Sequence, residues 1–249
     1  MSSLLYTNYM KRKFAAFDID GTIGRDSLFL QVVEELIDSG HIPIEAKAEL
    51  EQKFSAYKSR THKHAFKDYS SHSVEVLFGH IKSLRVSDYQ DAVDRVVARS
   101  HTHVYVYTRG LINKLREQGY FLIALSGSEM YAVEQFMGKL FEFDVVIGEQ
   151  YSEKDGLFTG KATEVFHKKE LFLKELIPKH DLTKTGSIAV GDSAGDTTML
   201  DFVENPIAFN PEDTLFETAK QKGWKIVIER KNVIYSLVPD GSGKYFLQP

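Results

Sequence analysis

The chain carries an acidic pair, Asp18 and Asp20, followed at once by Gly21 and Thr22. The pair ends a short apolar run, residues 14–19, that is typical of a strand buried on both faces of a parallel sheet. Side chains two positions apart on a strand point to the same side, so the two carboxylates would lie close together. Such a pair needs a cation or a shared proton, and Mg²⁺ suits oxygen ligands. A plain turn rich in Asp and Gly is the alternative.

Two later segments also place reactive groups at the ends of predicted strands. Ser126, Gly127 and Ser128 end an apolar run and open a helical pattern. A hydroxyl and free N–H groups at a helix N-terminus can bind an anion. An ordinary serine N-cap would have the same sequence pattern and is the alternative. Asp192 and Asp196 follow another strand, where turn chemistry explains the neighbouring glycines but not two more carboxylates. A metal site explains them better.

Lys168 and Lys169 open the helical pattern that precedes this last strand. A lysine there could neutralise an incoming phosphate as a point charge. Consecutive charged residues are more often a solvated helix face, and the pattern alone favours that interpretation.

The elements that must position these residues alternate between strand and helix. Apolar runs predict strands over residues 14–19, 121–126, 143–148, 187–192, 206–209 and 225–229. Helical patterns separate most of them, over residues 128–140, 167–177, 196–203 and 213–222. This alternation predicts an α/β fold with a doubly wound, mostly parallel sheet, a Rossmann-like core. Ligands of such sheets bind beyond the carboxyl ends of the strands, where the reactive groups lie.

Residues 26–105 interrupt the alternation. Their patterns predict helices and no strand, over residues 28–38, 44–59, 64–84 and 87–99. We therefore expect an inserted all-helical cap domain over residues 26–105 and a catalytic core over residues 1–25 and 106–249. Farther along, Lys-Asp-Gly inside residues 151–165 is a hairpin signal.

Composition excludes several classes of function. The 249 residues include no cysteine, which rules out disulfides, thiolate metal sites and cysteine nucleophiles. The formal net charge is -4, without the clustered positive excess of most nucleic-acid or membrane-surface proteins. No apolar run approaches the roughly 18 residues of a membrane helix. We expect a cytoplasmic protein that binds a small molecule and neither nucleic acid nor membrane; its oligomeric state stays open.

In order and spacing, the reactive segments resemble the motifs of the haloacid dehalogenase-like superfamily of phosphohydrolases. The matching residues are Asp18-Ile-Asp-Gly-Thr, Ser126, one of the two lysines, and Gly191-Asp192-Ser-Ala-Gly-Asp196. The helical insertion directly after the first motif and the hairpin at residues 154–160 are similar to the phosphoserine phosphatase-like branch. The spacing of 23 positions from Lys169 to Asp192 matches that branch and favours Lys169 over Lys168.

The resemblance implies a two-step transfer in which Asp18 forms an aspartyl-phosphate and Asp20 moves the protons. It implies Mg²⁺ held by Asp18, the Asp20 carbonyl and Asp192, with Asp196 orienting a metal-bound water or the lysine. The groups that it implies for substrate binding are Gly21, Thr22, Ser126, Gly127 and Lys169.

The resulting expectation is a magnesium-dependent phosphomonoesterase acting on a small phosphorylated metabolite. A phosphotransferase that uses an alcohol acceptor, and a non-catalytic phospho-ligand binding protein on the same fold, are alternatives. Phosphoserine phosphatases carry a glutamate for the substrate's amino group at or near the position of Ser27. Asp26 beside it is shorter and displaced by one residue, so this departure argues against phosphoserine as the substrate.

Overall fold

The computed structural model describes residues 11–248, which form two compact units. The first unit contains the described residues up to Phe17, Val106–Ile123, and the chain from Lys168 onward. The second unit contains Asp18–Tyr105 and Ala124–His167. The predicted division into a core and a cap of residues 26–105 stays a prediction.

Strands and helices alternate outside the helical segment. The strands are β1 (Arg12–Phe17), β2 (Phe121–Glu129), β3 (Val145–Glu149), β4 (Tyr151–Lys154), β5 (Leu157–Ala162), β6 (Leu182–Gly191), β7 (Asn205–Phe209), β8 (Lys225–Arg230), β9 (Val233–Pro239) and β10 (Tyr245–Leu247). The α-helices are α1 (Leu28–Asp38), α2 (Glu45–Lys58), α3 (Ala65–His80), α4 (Val86–Ser100), α5 (Val106–Glu117), α6 (Met130–Gly138), α7 (Lys169–Lys179), α8 (Thr197–Phe202) and α9 (Asp213–Lys222). No helix among the described residues is both long and apolar enough to cross a membrane.

The sheet is parallel at its centre and antiparallel at one edge. In the first unit, neighbouring strands run in the order β10-β9-β8-β7-β6-β1 and then the start of β2; in the second, the rest of β2 neighbours β3. The pairs β1–β6, β6–β7 and β7–β8 are parallel, whereas β8–β9 and β9–β10 are antiparallel. The predicted α/β fold with a mostly parallel sheet is confirmed.

The apolar run of β1 explains its central place in the sheet. All four side chains from Phe14 to Phe17 are fully buried, as a strand covered on both faces requires. Burying a phenylalanine contributes roughly 1.5–3 kcal/mol, so this short segment is a large part of the core. In the parallel register Phe17 lies opposite Val190 of β6, which makes the carboxyl ends of the two strands neighbours.

The second unit contains the helical segment and the hairpin. Residues 28–100 are all described. Their regular structure consists of α1 to α4, a short 3-10 helix and a single β-bridge at Arg85. The β4–β5 hairpin turns at Asp155 and Gly156, both with positive φ (54° and 77°), as a type I′ turn requires. The Gly156 carbonyl accepts a 3.0 Å hydrogen bond from the Val86 N–H at the start of α4. The hairpin is thereby attached to the helical segment.

The structure differs from the sequence prediction in several elements. The strand β2 continues through Ser126 to Glu129, so α6 begins at Met130 rather than at Ser128. Three elements were not predicted: α5, β9 and β10. The exposed side chains of Val233, Ile234 and Tyr235 show that β9 is covered on one side at most, so it lacks the features of the buried central strands.

Glu129 joins β2 to α6. Its carboxylate caps the helix by accepting hydrogen bonds from the N–H groups of Tyr131 (3.0 Å) and Ala132 (3.3 Å). Burial raises the pKa of Glu129 to about 7, because the charged form is poorly solvated there and the two cap hydrogen bonds offset this only in part.

Gly191 ends β6 at a position where a side chain does not fit. A Cβ added there would lie 2.5 Å from the Cβ of Asp196. We expect Gly191→Ala to destabilise the protein by about 1–3 kcal/mol, the typical cost of forced overpacking. Gly110 is the matched control: it lies exposed inside α5 with no atom near its virtual Cβ. There alanine should stabilise by about 0.5–1 kcal/mol. Urea unfolding of both variants measures the change in the free energy of unfolding. Equal changes in the two variants would contradict the crowding at Gly191.

Glu129 gives a second prediction, on pH. Its pKa is raised from 4.5 to about 7 in the folded state, so the folded protein binds this proton more tightly than the unfolded chain. Its contribution to stability is therefore complete below pH 4.5 and is lost as the pH rises through 7. At about 1.4 kcal/mol per pKa unit, the loss is about 3 kcal/mol. Urea unfolding at several pH values should show this loss; a Glu129→Gln variant with an unchanged pH dependence would contradict it.

Candidate active site

Asp18 follows β1 and opens a tight turn. Its side chain is buried, with 5% exposed. The Ile19 carbonyl accepts hydrogen bonds from the N–H groups of Thr22 (3.2 Å), Ile23 (2.9 Å) and Gly24 (2.9 Å). Gly21 has a φ of 79°, a left-handed conformation that favours glycine. The chain therefore reverses direction immediately after the acidic pair, and the Thr22 side chain becomes fully buried.

Asp20 is held on both of its carboxylate oxygens. Oδ1 accepts a 2.5 Å hydrogen bond from the Leu28 N–H at the start of α1. Oδ2 accepts two hydroxyl protons, from Ser126 at 2.7 Å and from Ser128 at 2.9 Å. Both serines reach the same oxygen because β2 continues past residue 126 and positions two apart share one face of a strand. Ser126, predicted to bind phosphate, thus donates to Asp20 in this structure.

Gly127 lies between the two serines, under an aromatic ring. A Cβ at this position would come within 3.1 Å of the Phe166 ring carbon Cδ2. The Phe166 side chain is itself 40% exposed. The close approach of ring and backbone favours glycine here, in addition to the predicted role of the Gly127 N–H.

In the first unit, Lys169 and Asp196 form an ion pair. Lys169 Nζ lies 2.6 Å from Asp196 Oδ1, and both side chains are fully buried. Lys168, the alternative in the sequence, is exposed. Of the two lysines, the structure therefore buries Lys169 and pairs it with an acid of the predicted site.

Asp196 also holds the loop that follows β6. Its second oxygen, Oδ2, accepts hydrogen bonds from the N–H groups of Asp192 (3.1 Å) and Ser193 (3.0 Å) and from the Ser193 hydroxyl (3.1 Å). With Lys169 on the first oxygen, both carboxylate oxygens of Asp196 are engaged. Asp192 directly follows β6 and is partly exposed, and the loop that it begins is held in place by Asp196.

Among the described residues, carboxylates that could hold a metal ion occur in both units: Asp192 and Asp196 in the first, and Asp18 in the second. A set of carboxylate oxygens without nitrogen or sulfur suits a hard cation such as Mg²⁺. Because Asp196 already accepts from a lysine and three loop donors, Asp18 and Asp192 are the better candidates for direct ligands. Asp18 directly follows Phe17 of β1, and Asp192 comes two residues after Val190 of the neighbouring β6.

Sequence reasoning missed two residues of this region. The sequence pattern predicts a helix that begins at Ser128, whereas β2 runs on to Glu129. The two-residue spacing between Ser126 and Ser128 is the signal, because it places both side chains on one face of a strand. Glu212 accepts a 2.7 Å hydrogen bond from the Ala194 N–H, and its own N–H donates to the Asp192 carbonyl at 2.8 Å. No local pattern links residue 212 to this loop, because the contact is formed between segments that follow different strands.

Comparisons with known proteins agree with the resemblance seen in the motifs. A model of the haloacid dehalogenase-like hydrolase family matches residues 15–201. A phosphoserine phosphatase from Archaeoglobus fulgidus is 27% identical over 112 residues, which are 44% of this chain and 32% of that protein. The matched part therefore spans about a third of the relative's length.

Solved structures show the same fold. A protein of unknown function from Bordetella pertussis Tohama I matches with a TM-score of 0.67 and 20% identity, over 88% of this chain and 99% of that one. A phosphoserine phosphatase with an analogue of its phospho-aspartyl intermediate matches with a TM-score of 0.61 and 20% identity, over 89% and 95%.

The family match runs from β1 to α8 and includes the acidic pair, the serines, both lysines and the loop after β6. The resemblance to the superfamily, and to its phosphoserine phosphatase-like branch, is confirmed by the family model and the similar proteins. The chain belongs to the haloacid dehalogenase-like hydrolase family.

Proposed function

We propose that this hydrolase is a magnesium-dependent phosphatase that removes phosphate from a small monoester through an aspartyl-phosphate on Asp18. The observation that carries the proposal is the buried Lys169–Asp196 pair beside the Asp192 loop. A buried ion pair costs desolvation energy that packing alone would not require. Its place at the end of β6, the strand paired with β1, fits a site for a phosphate dianion and a metal ion.

In the first step, an Asp18 carboxylate oxygen attacks phosphorus and the bond to the ester oxygen breaks. Asp20 gives its proton to that leaving oxygen, so the alcohol departs neutral. The groups proposed to bind the phosphate oxygens are Lys169, the Ser126 hydroxyl, the Gly127 N–H, Gly21 and Thr22. They stabilise the negative charge on the transferring group.

In the second step, water attacks phosphorus of the aspartyl-phosphate. Asp20 takes the water proton, and the bond between phosphorus and the Asp18 oxygen breaks. Inorganic phosphate leaves, and both aspartates return to their starting protonation states. One carboxylate thus acts only as nucleophile, and the other only as proton carrier.

The metal-binding groups proposed are the Asp18 carboxylate, the Asp20 carbonyl and the Asp192 carboxylate. Bound Mg²⁺ would neutralise charge on the phosphoryl group during transfer. Asp196 holds Lys169 and the backbone of Asp192, so its role is to fix the positions of these groups.

The substrate proposed is a small, soluble phosphate monoester. The similar proteins named as phosphoserine phosphatases support this chemical class. Ser27, where a phosphoserine phosphatase would carry a glutamate, accepts from the Leu30 N–H as the N-cap of α1. Recognition of a substrate amino group therefore needs a different acid, and phosphoserine itself is not the substrate that we propose.

Asp18→Asn tests the nucleophile. We expect phosphate release from a panel of monoesters to fall by at least about 1,000-fold, as loss of a nucleophile does elsewhere. Chelator should abolish turnover by the unaltered protein, and Mg²⁺ should restore it. Borohydride reduction of the quenched enzyme should convert residue 18 to homoserine, visible by mass spectrometry.

Asp91→Asn, which removes an exposed carboxylate on α4, is the matched control and should keep full activity. Transfer of phosphate to added alcohols at the expense of hydrolysis would instead favour a phosphotransferase. If no ester is turned over and Asp18→Asn binds phosphate compounds as the unaltered protein does, the catalytic proposal is wrong.

Lys169→Met and Lys168→Met test the two lysines. Removing Lys169 leaves the Asp196 charge buried without its partner, which should cost about 3–5 kcal/mol of stability. Turnover should fall at least about 100-fold, because a charged donor to the phosphate is lost. Lys168→Met should change stability by less than about 0.5 kcal/mol.

Lys169→Arg separates stability from activity, because it keeps the charge but changes the donor geometry. We expect it to recover much of the stability, measured by urea unfolding, and little of the turnover. Equal losses of activity in Lys168→Met and Lys169→Met would refute the assignment.

A further inference from the structure

We propose that Ser128 is a positioning residue that keeps hold of Asp20 while the Ser126 hydroxyl turns to the substrate phosphate. The inference rests on the proposed function, since it assigns a role to a residue beside the same site. Each of the two serine hydroxyls can donate one proton.

Ser126 has a single hydroxyl proton, and this proton is in use. Ser126 Oγ donates to Asp20 Oδ2 at 2.7 Å and accepts from the Ser128 N–H at 2.9 Å. A hydroxyl offers one donor, so Ser126 cannot also donate to a phosphate oxygen in this arrangement. Binding phosphate through Ser126 requires the proton to leave Asp20.

Ser128 makes this exchange possible. Its hydroxyl donates to the same Asp20 oxygen at 2.9 Å, while the Leu28 N–H serves the other oxygen. When the Ser126 proton turns away, each oxygen of Asp20 still has one donor. Without the Ser128 hydroxyl, Oδ2 would lose every donor that the second unit provides.

The loss of that donor weakens the hold on Asp20. Ser126 is fully buried and Ser128 is 2% exposed, which leaves little room for water on their side of the carboxylate, although Asp20 itself is partly exposed. A hydrogen bond to a charged group contributes more than one between neutral groups. In a protein without the Ser128 hydroxyl, the Ser126 proton therefore stays on Asp20, and the phosphate loses a donor.

The test measures binding of inorganic phosphate by calorimetry, together with KM and kcat for a turned-over ester. Ser128→Ala removes the hydroxyl but keeps the backbone N–H that orients Ser126. We expect phosphate affinity to fall and KM to rise about tenfold, the effect of about 1.4 kcal/mol. The kcat should stay within about threefold, because the Ser126 proton still holds Asp20.

A double variant provides the sharper readout. Once Ser128 is alanine, the Ser126 hydroxyl no longer serves the phosphate, so adding Ser126→Ala should weaken phosphate binding by less than about threefold. Independent contributions would multiply instead, to about a hundredfold loss. A purely structural role of Ser128 predicts no such coupling.

Ser73→Ala is the matched control. Ser73 lies in α3 of the same unit, is 1% exposed, and donates its hydroxyl to the Tyr69 carbonyl at 2.9 Å. The Ser73→Ala variant lacks a buried serine hydroxyl that does not contact Asp20, so its phosphate affinity and KM should be unchanged.

Phosphate affinity of Ser128→Ala equal to that of the unaltered protein, or multiplying effects in the double variant, would overturn the inference. So would an unaltered protein that binds no inorganic phosphate. If phosphate binding depends on Ser128 but no ester is hydrolysed, the inference stands and the proposed function fails. If esters are hydrolysed normally and neither phosphate binding nor KM depends on Ser128, the proposed function stands and the inference fails.

Discussion

Lys169 and Asp196 lie 2.6 Å apart with neither side chain exposed, and the loop after β6 depends on this pair. A carboxylate in the interior needs partners for all of its lone pairs. Asp196 finds them in one lysine and three donors of residues 192 and 193, and no space remains for a side chain at Gly191. The cost of burying one charge thus fixes the path of the backbone and the position of Asp192.

The second unit meets the same requirement with neutral donors. In place of a lysine, an amide at the start of α1 and two serine hydroxyls of β2 hold Asp20. Hydroxyl donors can rotate, whereas an ammonium group such as that of Lys169 donates only. A proton carrier benefits from partners that can change roles, and a residue that fixes a loop does not.

Much of the fold followed from local pattern. The continuous apolar run of β1, the helices α1 and α9, and the Asp155-Gly156 turn were predicted because burial, capping and turn conformation each leave a signal within a few residues. The elements α5, β9 and β10 were missed. Strands at a sheet edge do not carry the apolar runs of central strands, and β9 pairs antiparallel in a sheet whose centre is parallel.

Residue type and spacing alone determined the reactive groups: two aspartates after the first strand, a serine after the second, a lysine, and two more aspartates after β6. They indicated the family as well, because its motifs carry those groups in that order. Tertiary structure decided which lysine is buried, where β2 ends, and therefore that Ser128 shares an acceptor with Ser126. Those outcomes depend on contacts between residues about 30 to 110 positions apart, whose free energies of burial and hydrogen bonding no local window of sequence contains.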